Sequence, residues 1–440
     1  MKLDKKVFAA RRAALMQDLM PGSIAIIPSA NELVRNNDVH FNFRQDSNFY
    51  YLTGFDEPEA VAAIIPGREH GEFVLFCREK DETRELWDGY RAGQLGATEL
   101  YGADDAFPIG DLDEILPGLI EGRSRVYYAM GRHKEFDAQV MVWVNSIRAN
   151  IRQGAQPPGE FSDLDHLLHD LRLYKSTQEI KLMKEAARIS CEAHKRAMRF
   201  CKPGVYEYQL EAEIMHEFAM SNAREAAYGT IVGGGKNGCI LHYRDNSEPL
   251  NNNELVLIDA GCEYQFYAAD ITRTFPVNGV FSPAQKAIYT IVLEAQIAGI
   301  EAVRVGNHWN EPHDATVKVI AKGLSDLGIL DGSADSIIEN ESYRKYYMHR
   351  AGHWIGMDVH DVGDYKVADQ WRELEVGMAM TIEPGIYIQP DDETVPSEFR
   401  GIGIRIEDDV VVTKETPLVL TNGVPKTIED IETLMREKEI

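Results

Sequence analysis

Leu255–Phe275, LVLIDAGCEYQFYAADITRTF, constrains this chain more than any other stretch. Its unbroken apolar start, Leu255 to Ile258, predicts a strand buried on both faces. Asp259 ends that run, and a second β-like run carries Asp270. A hairpin whose turn centres between Tyr264 and Gln265 sets Glu263 opposite Phe266 and Asp259 opposite Asp270. Cβ atoms directly opposite in a hairpin lie roughly 5 Å apart, and like charges there repel. Two carboxylates so placed in a buried sheet need something between them. A shared proton serves; a divalent cation serves better if further ligands converge. The alternative is a turn-capping Asp beside a solvated one, and the turn has no Asn-Gly signal to fix its register.

The chain of 440 residues is long enough for two or three domains. Its formal net charge of −25 lacks the basic footprint that nucleic acid or an anionic membrane requires, so neither is expected as a partner. The cysteines, Cys77, Cys191, Cys201, Cys239 and Cys262, are odd in number and have no CxxC spacing. Reduced thiols in a cytoplasmic protein are expected rather than a disulfide framework. The amino terminus, MKLDKKVFAARRAALMQDLM, has charges throughout and does not read as a signal peptide. No apolar run approaches the length of a membrane span.

In chain order, residues 4–20 show helical spacing with Asp4 as N-cap, ended by Pro21-Gly22. Ile24–Ile27, Phe49–Leu52, Val61–Ile65, Phe73–Cys77 and Val126–Tyr128 read as strands, with a helix over about Glu135–Arg152. This predicts a small α/β domain with a mixed sheet. QGAQPPG, Gln153–Gly159, begins a linker, and a short helix over Asp163–Leu173 follows. Ser176 with Glu179 forms a capping box that opens a long helix to about Phe200. The domain boundary is placed near residue 174. The second domain then reads as a helix (Glu207–Ser221), hairpins over Thr230–Tyr243 and 254–275, a helix from Ser282-Pro283-Ala284-Gln285, and a helix over Pro312–Leu327. A β-rich remainder leads to a terminal helix near Thr427–Arg436.

Four further stretches offer ligand-type side chains. MHRAGHWIGMDVHD, Met348–Asp361, holds His349, His353 and His360. Gly352 and Gly356 disfavour a helix there, so a loop and strand are expected, with the glycines allowing close backbone approach. In MAMTIEPGIYI, Glu383 has apolar neighbours and is held extended by Pro384. A lone buried carboxylate there is costly unless it is paired, with Arg405 the obvious partner, or coordinated. In GIGIRIEDDVVV, strict alternation makes Arg405 and Glu407 project together, and leaves Asp408 and Asp409 at the solvated side. IVGGGKNGCILHY lacks the GxxxxGK[ST] order of a phosphate loop, and its value lies in His242 at the end of an apolar strand. Asp259, Asp270, Glu383 and Glu407 bring four negative charges, which two divalent cations would balance. Oxygen-rich donors favour Mn²⁺, and the imidazole of His353 admits Co²⁺, Zn²⁺ or Fe²⁺.

The order Asp259, Asp270, His353, Glu383, Glu407 resembles the ligand set of the pita-bread metallopeptidases. LIDAGCEYQFYAADITRTFPV, GHWIGMDVHDVG, TIEPGIYI, GIGIRIEDDVVV and the amino-terminal RQDSNFYYLTGFDEPEA look most like the aminopeptidase P (Xaa-Pro aminopeptidase) branch. The resemblance implies an α+β chain: a creatinase-like α/β domain over residues 1–174, then a pita-bread catalytic domain over 175–440 with a curved antiparallel sheet. It implies hydrolysis of the bond between any N-terminal residue and a following proline, by a hydroxide held between two metal ions. Asp259 and His353 would each bind one metal, Asp270 and Glu407 would bridge, and Glu383 would ligate and act as general base. His242 and His360 match histidines that stabilise the transition state. His349, Tyr228, Val359 and Arg405 match the wall of the proline pocket. Asp38 and Trp87 match positions that approach a neighbouring subunit's site, which implies a homo-oligomer, dimer or tetramer. The sequence departs from relatives at YGTIVGGG and around Asp364–Gln370. A prolidase acting on Xaa-Pro dipeptides is the nearest alternative, and a metal-free binding module on the same fold is another.

Overall fold

The computed structural model describes residues 3–437, which form two compact units divided between Leu171 and Arg172. In the first unit, a six-stranded mixed sheet runs in the order Asp105–Pro108, Phe73–Cys77, Val61–Ile64, Ser23–Pro28, Arg125–Tyr128, Glu160–Asp163. Its apolar runs are buried because helices cover them, and Leu116, Ile120, Val140, Trp143 and Ile147 complete that core. The first helix, Lys5–Asp18, is capped by Asp4 as its sequence demands. Phe49–Leu52 is not a strand. Ser47–Thr53 is a helix, started by the Asp46 carboxylate accepting the Phe49 N–H at 2.9 Å and stopped by Gly54 at φ 66°. All seven of its residues are buried, so no polar face marked its period.

The second unit is built from short antiparallel pairings. Leu255–Asp259 lies between Ile231–Gly234 and Thr272–Pro276, and Ala379–Ile382 pairs with Asp408–Val411. Gly385–Tyr387 pairs with Gly403–Arg405. The two sets of strands join where the Glu407 N–H donates to the Thr272 carbonyl at 3.1 Å. A long capped helix lies against each set. Thr177–Phe200 sends Ser190 and His194 to the backbone of Cys262 and Ala260, and Pro283–Glu301 sends Gln296 to Asp408. Among the described residues, no helix is long and apolar enough to cross a membrane.

The hairpin of Leu255–Phe275 forms, with its register moved by two residues. Tyr264 faces Tyr267 and Asp259 faces Thr272, so the turn is Gln265-Phe266. Both turn residues take left-handed φ, 50° and 67°, the twist a two-residue hairpin needs, without the glycine that would announce it. A shift of two keeps every side chain on its face, so Asp259 and Asp270 become diagonal neighbours instead of opposite ones. Gly261, opposite Asp270, permits this approach: a Cβ there would lie 1.7 Å from the Ala269 carbonyl oxygen. Gly261→Ala is therefore expected to cost about 2 kcal/mol or more of unfolding free energy, read from denaturant melts.

Two other expectations are corrected. Thr230–Tyr243 is no hairpin: Gly235–Cys239 coils into a 3₁₀ turn, Ile231–Gly234 pairs with Leu255–Asp259, and His242 sits in an exposed turn. Met348–Asp361 is a loop with a single bridge, Trp354 to Met380, and no strand. Its Gly352 does allow close approach, because a Cβ there would lie 1.9 Å from the Thr381 carbonyl.

Candidate metal centre

Five ligand-type side chains meet where the strand sets join. Asp270, His353 and Glu407 each offer a ligand atom within 4.8 Å of the others. His353 Nε2 lies 3.4 Å from Asp270 Oδ2 and 3.6 Å from Glu383 Oε1. Asp259 joins them through Tyr228, whose hydroxyl lies 2.6 Å from Asp259 Oδ1 and 2.5 Å from Asp270 Oδ1. Thr272, opposite Asp259, donates to Glu407 Oε2 at 2.6 Å. Thr381 donates to Glu383 Oε1 at 3.2 Å and receives the His353 N–H at 3.0 Å.

This crowding sets the proton affinities. Burial, then Asp270, pushes the Glu407 carboxyl well above its usual range. Burial raises Glu383 to about 7, against the opposing pull of His353 and Arg405. Burial likewise raises Asp259, although Arg405 Nη2 lies only 2.6 Å from its Oδ2. Burial disfavours charge on His353, but the Asp270 hydrogen bond and Glu383 outweigh it and raise the imidazole to about 9. Burial also opposes ionisation of Asp270, and the His353 contact reverses that to leave it lowered.

The donor set fits divalent cations. The Tyr228 hydroxyl has one proton and stands between two carboxylate oxygens, so it satisfies only one of them. The second contact is repulsive unless a proton or a cation intervenes. His353 Nδ1 lies 3.0 Å from the Trp354 carbonyl, which fixes the proton on Nδ1 and points Nε2 at the carboxylates, the tautomer a ligand needs. Four carboxylates and one imidazole nitrogen suit a hard or borderline dication.

The remaining sequence-predicted residues surround this cluster or lie in the first unit. His349 Nε2 accepts from the Tyr387 hydroxyl at 2.9 Å, and its Nδ1 lies 2.7 Å from the Arg350 carbonyl and 3.9 Å from Glu383. Burial and then Arg405 hold His349 neutral, at about 3. Arg405 spans Thr272, Tyr387 and Asp259, so it is the partner of Asp259 rather than of Glu383. The His353 and His360 rings meet edge-on with centroids 4.4 Å apart. His242 is close enough for its charge to act on His349 and His360. Val359 is half-buried. Asp38, in the turn of the hairpin formed by Val34–Asn36 and Val39–His40, and Trp87, in the helix Glu82–Asp88, belong to the first unit and are exposed, Trp87 by 84%.

Asp408 and Asp409 are not solvated; both are buried. Asp408 pairs with Arg273 at 2.7 Å and Lys426 at 2.8 Å, and Asp409 Oδ2 accepts the Asp270 N–H at 3.0 Å. Strand alternation alone did not reveal these roles, because the partners come from distant segments. Thr272, Thr381 and Tyr387 were also missed. For Thr272 the correct hairpin register was the signal, since it lies opposite Asp259.

The model of metallopeptidase family M24 matches residues 181–414, and that of the aminopeptidase P N-terminal domain matches residues 8–127. The chain is 45% identical to the Xaa-Pro aminopeptidase of Escherichia coli, over 99% of this chain and 98% of that one. It superposes on the structure of Pseudomonas aeruginosa aminopeptidase PepP with a TM-score of 0.98 at 62% identity, covering 99% of this chain and 98% of that one. Zn-substituted E. coli aminopeptidase P in complex with product matches with a TM-score of 0.96 at 45% identity, with 99% of each chain covered. The chain belongs to metallopeptidase family M24, within its Xaa-Pro aminopeptidase group, and is a hydrolase with the pita-bread α+β fold.

Proposed function

We propose that this protein removes the N-terminal residue from peptides whose second residue is proline, in a catalytic domain over residues 175–440 that follows an N-terminal domain over 1–174. The supporting observation is the meeting of Asp270, His353, Glu383 and Glu407, with Asp259 joined to Asp270 through the hydroxyl of Tyr228. When bound, two divalent ions, manganese by preference and cobalt, zinc or iron as alternatives, supply Lewis acidity toward the scissile carbonyl and acidify a water. Asp259 and His353 would each hold one ion, Asp270 and Glu407 would serve both, and Glu383 would be the fifth ligand.

Glu383 takes the proton of the attacking water and returns it to the leaving proline nitrogen. Thr381 donates to its Oε1 and so orients the carboxylate. His242 and His360 donate to the oxygen that gains charge at the scissile carbonyl. Neutral His349, locked by Tyr387, forms with Tyr228, Val359 and Arg405 a wall for a ring that has no N–H to offer. Asp38 and Trp87 act on a neighbouring subunit's substrate in a homo-oligomer, a dimer or tetramer, and the protein is cytoplasmic.

Metal-reconstituted enzyme is expected to cleave Xaa-Pro-Xaa tripeptides and longer peptides, and to spare their Xaa-Ala counterparts. Cleavage confined to Xaa-Pro dipeptides would instead make it a prolidase, and no cleavage with Mn, Co, Zn or Fe retained would defeat the reading. In His360→Ala, turnover should drop roughly 10²-fold while elemental analysis finds the metal content unchanged.

A further inference from the structure

The segment Gly356–Asp361 has neither helix nor strand, yet it carries Val359 and His360. Two acids, Asp358 and Asp361, bracket that pair. One nitrogen, Arg172 Nη2, lies 2.7 Å from Asp358 Oδ2 and 2.6 Å from Asp361 Oδ1. Lys175 Nζ lies 2.9 Å from the other Asp361 oxygen. The Arg172 side chain is 2% exposed, and those of Lys175 and Asp361 are 1% exposed. Two cations thus face two carboxylates, and Arg172, Lys175 and Asp361 do so out of water, where geometry must be held closely for the charges to be tolerated. Burial alone would raise the Asp361 carboxyl, but Lys175 and Arg172 outweigh it and keep it lowered.

Gly356 makes the room. A Cβ on it would lie 2.1 Å from Asp361 Oδ2 and 2.7 Å from Lys175 Cε. The loop is also tied at both ends: the Asp361 N–H donates to the Trp354 carbonyl at 2.9 Å, and the Gly356 carbonyl accepts the Ala268 N–H at 2.8 Å. His360 itself is exposed, with its ring against that of His353. His353 has separate anchors, Thr381 and the Trp354 carbonyl.

We infer that Arg172, Lys175, Asp358 and Asp361 form a buried clamp of positioning residues that sets His360 against the reaction centre. The clamp works through the loop backbone and touches neither substrate nor metal. The inference rests on the role proposed above for His360.

The test is steady-state kinetics on the full, metal-loaded chain with Arg172→Met, Arg172→Lys and Asp358→Ala, each alone and combined with His360→Ala. Arg172→Met is expected to lower kcat roughly 10- to 100-fold, the scale of a misplaced catalytic group, with KM and metal content nearly unchanged. Arg172→Lys, which keeps a cation between the two acids, should recover most of the loss. Asp358→Ala removes only the arm that is 35% exposed, so it reports on the clamp even if Arg172→Met does not fold. In the His360→Ala background each loss should shrink to less than about twofold, because groups that act as a unit are non-additive. Losses that multiply fully in that background would overturn the clamp and leave the His360 role standing. A His360→Ala variant with full turnover would overturn the His360 role and the clamp with it.

Discussion

Glu383→Ala is expected to lower turnover by about 10²–10⁴-fold while the fold persists. The segment carrying Glu383 is held by its backbone: its N–H donates to the Ala351 carbonyl at 2.8 Å, and flanking strands bury Ile382 and Ile386. None of those contacts needs the carboxylate. The substitution also removes one negative charge from a cluster that has too many, so the metal-free variant should melt no lower than the parent at neutral pH. Asp270, His353 and Glu407 remain to hold metal. Initial rates on a proline-second tripeptide, elemental analysis and a thermal melt separate these effects. Substantial activity in the variant would remove Glu383 from the chemistry.

In the metal-free protein, the stability contributed by the acidic cluster is expected to fall as the pH rises from about 5 to 8. Glu383 moves from an unfolded value of 4.5 to about 7 on folding, with burial as the main cause. A carboxyl raised in this way adds stability that is complete below 4.5 and lost as the pH climbs through 7. Glu407 and Asp259 are raised for the same reason and have the same sign. His353, raised from 6.5 to about 9, also contributes below 6.5 and loses that contribution as the pH passes 9. Asp270 has the opposite sign: being lowered, it adds stability above 3.8 and loses it on acidification, below this window. The Glu383 shift alone corresponds to something on the order of 3 kcal/mol. Burial lowers His194, His313, His349 and His360, which add stability as the pH climbs through 6.5. The cluster is therefore read by difference: the melting temperature of the chelated parent, relative to that of chelated Glu383→Gln, should fall across the range. A parent-minus-variant difference that stays flat or rises without metal would contradict the buried acidic cluster.

Local signals were the ones legible in advance. The capping boxes at Ser176 and Ser282 are formed by residues three apart, and both helices start where that spacing says. The closeness of Asp259 and Asp270 was legible from the double run of apolar residues, but its register was not, because Gln265-Phe266 adopts a glycine-type turn without glycine. Non-local partners were hidden. Asp408 reads as a solvated strand end until Arg273 and Lys426 arrive from other segments to neutralise it. Only the fold gives the Tyr387 hydroxyl both His349 and Arg405. The sequence places His242 at the end of an apolar strand, whereas Gly235–Cys239 coils into a 3₁₀ turn ahead of it.

The single phenolic proton of Tyr228, wedged between two acids, stands in for charge that belongs to something else. Cations arriving at Asp259 and Asp270 compete with protons held on the raised carboxyls and on His353. Loading is therefore an exchange of ions for hydrogen ions, and its apparent affinity climbs steeply with alkalinity. In an acidifying medium the same exchange runs backwards.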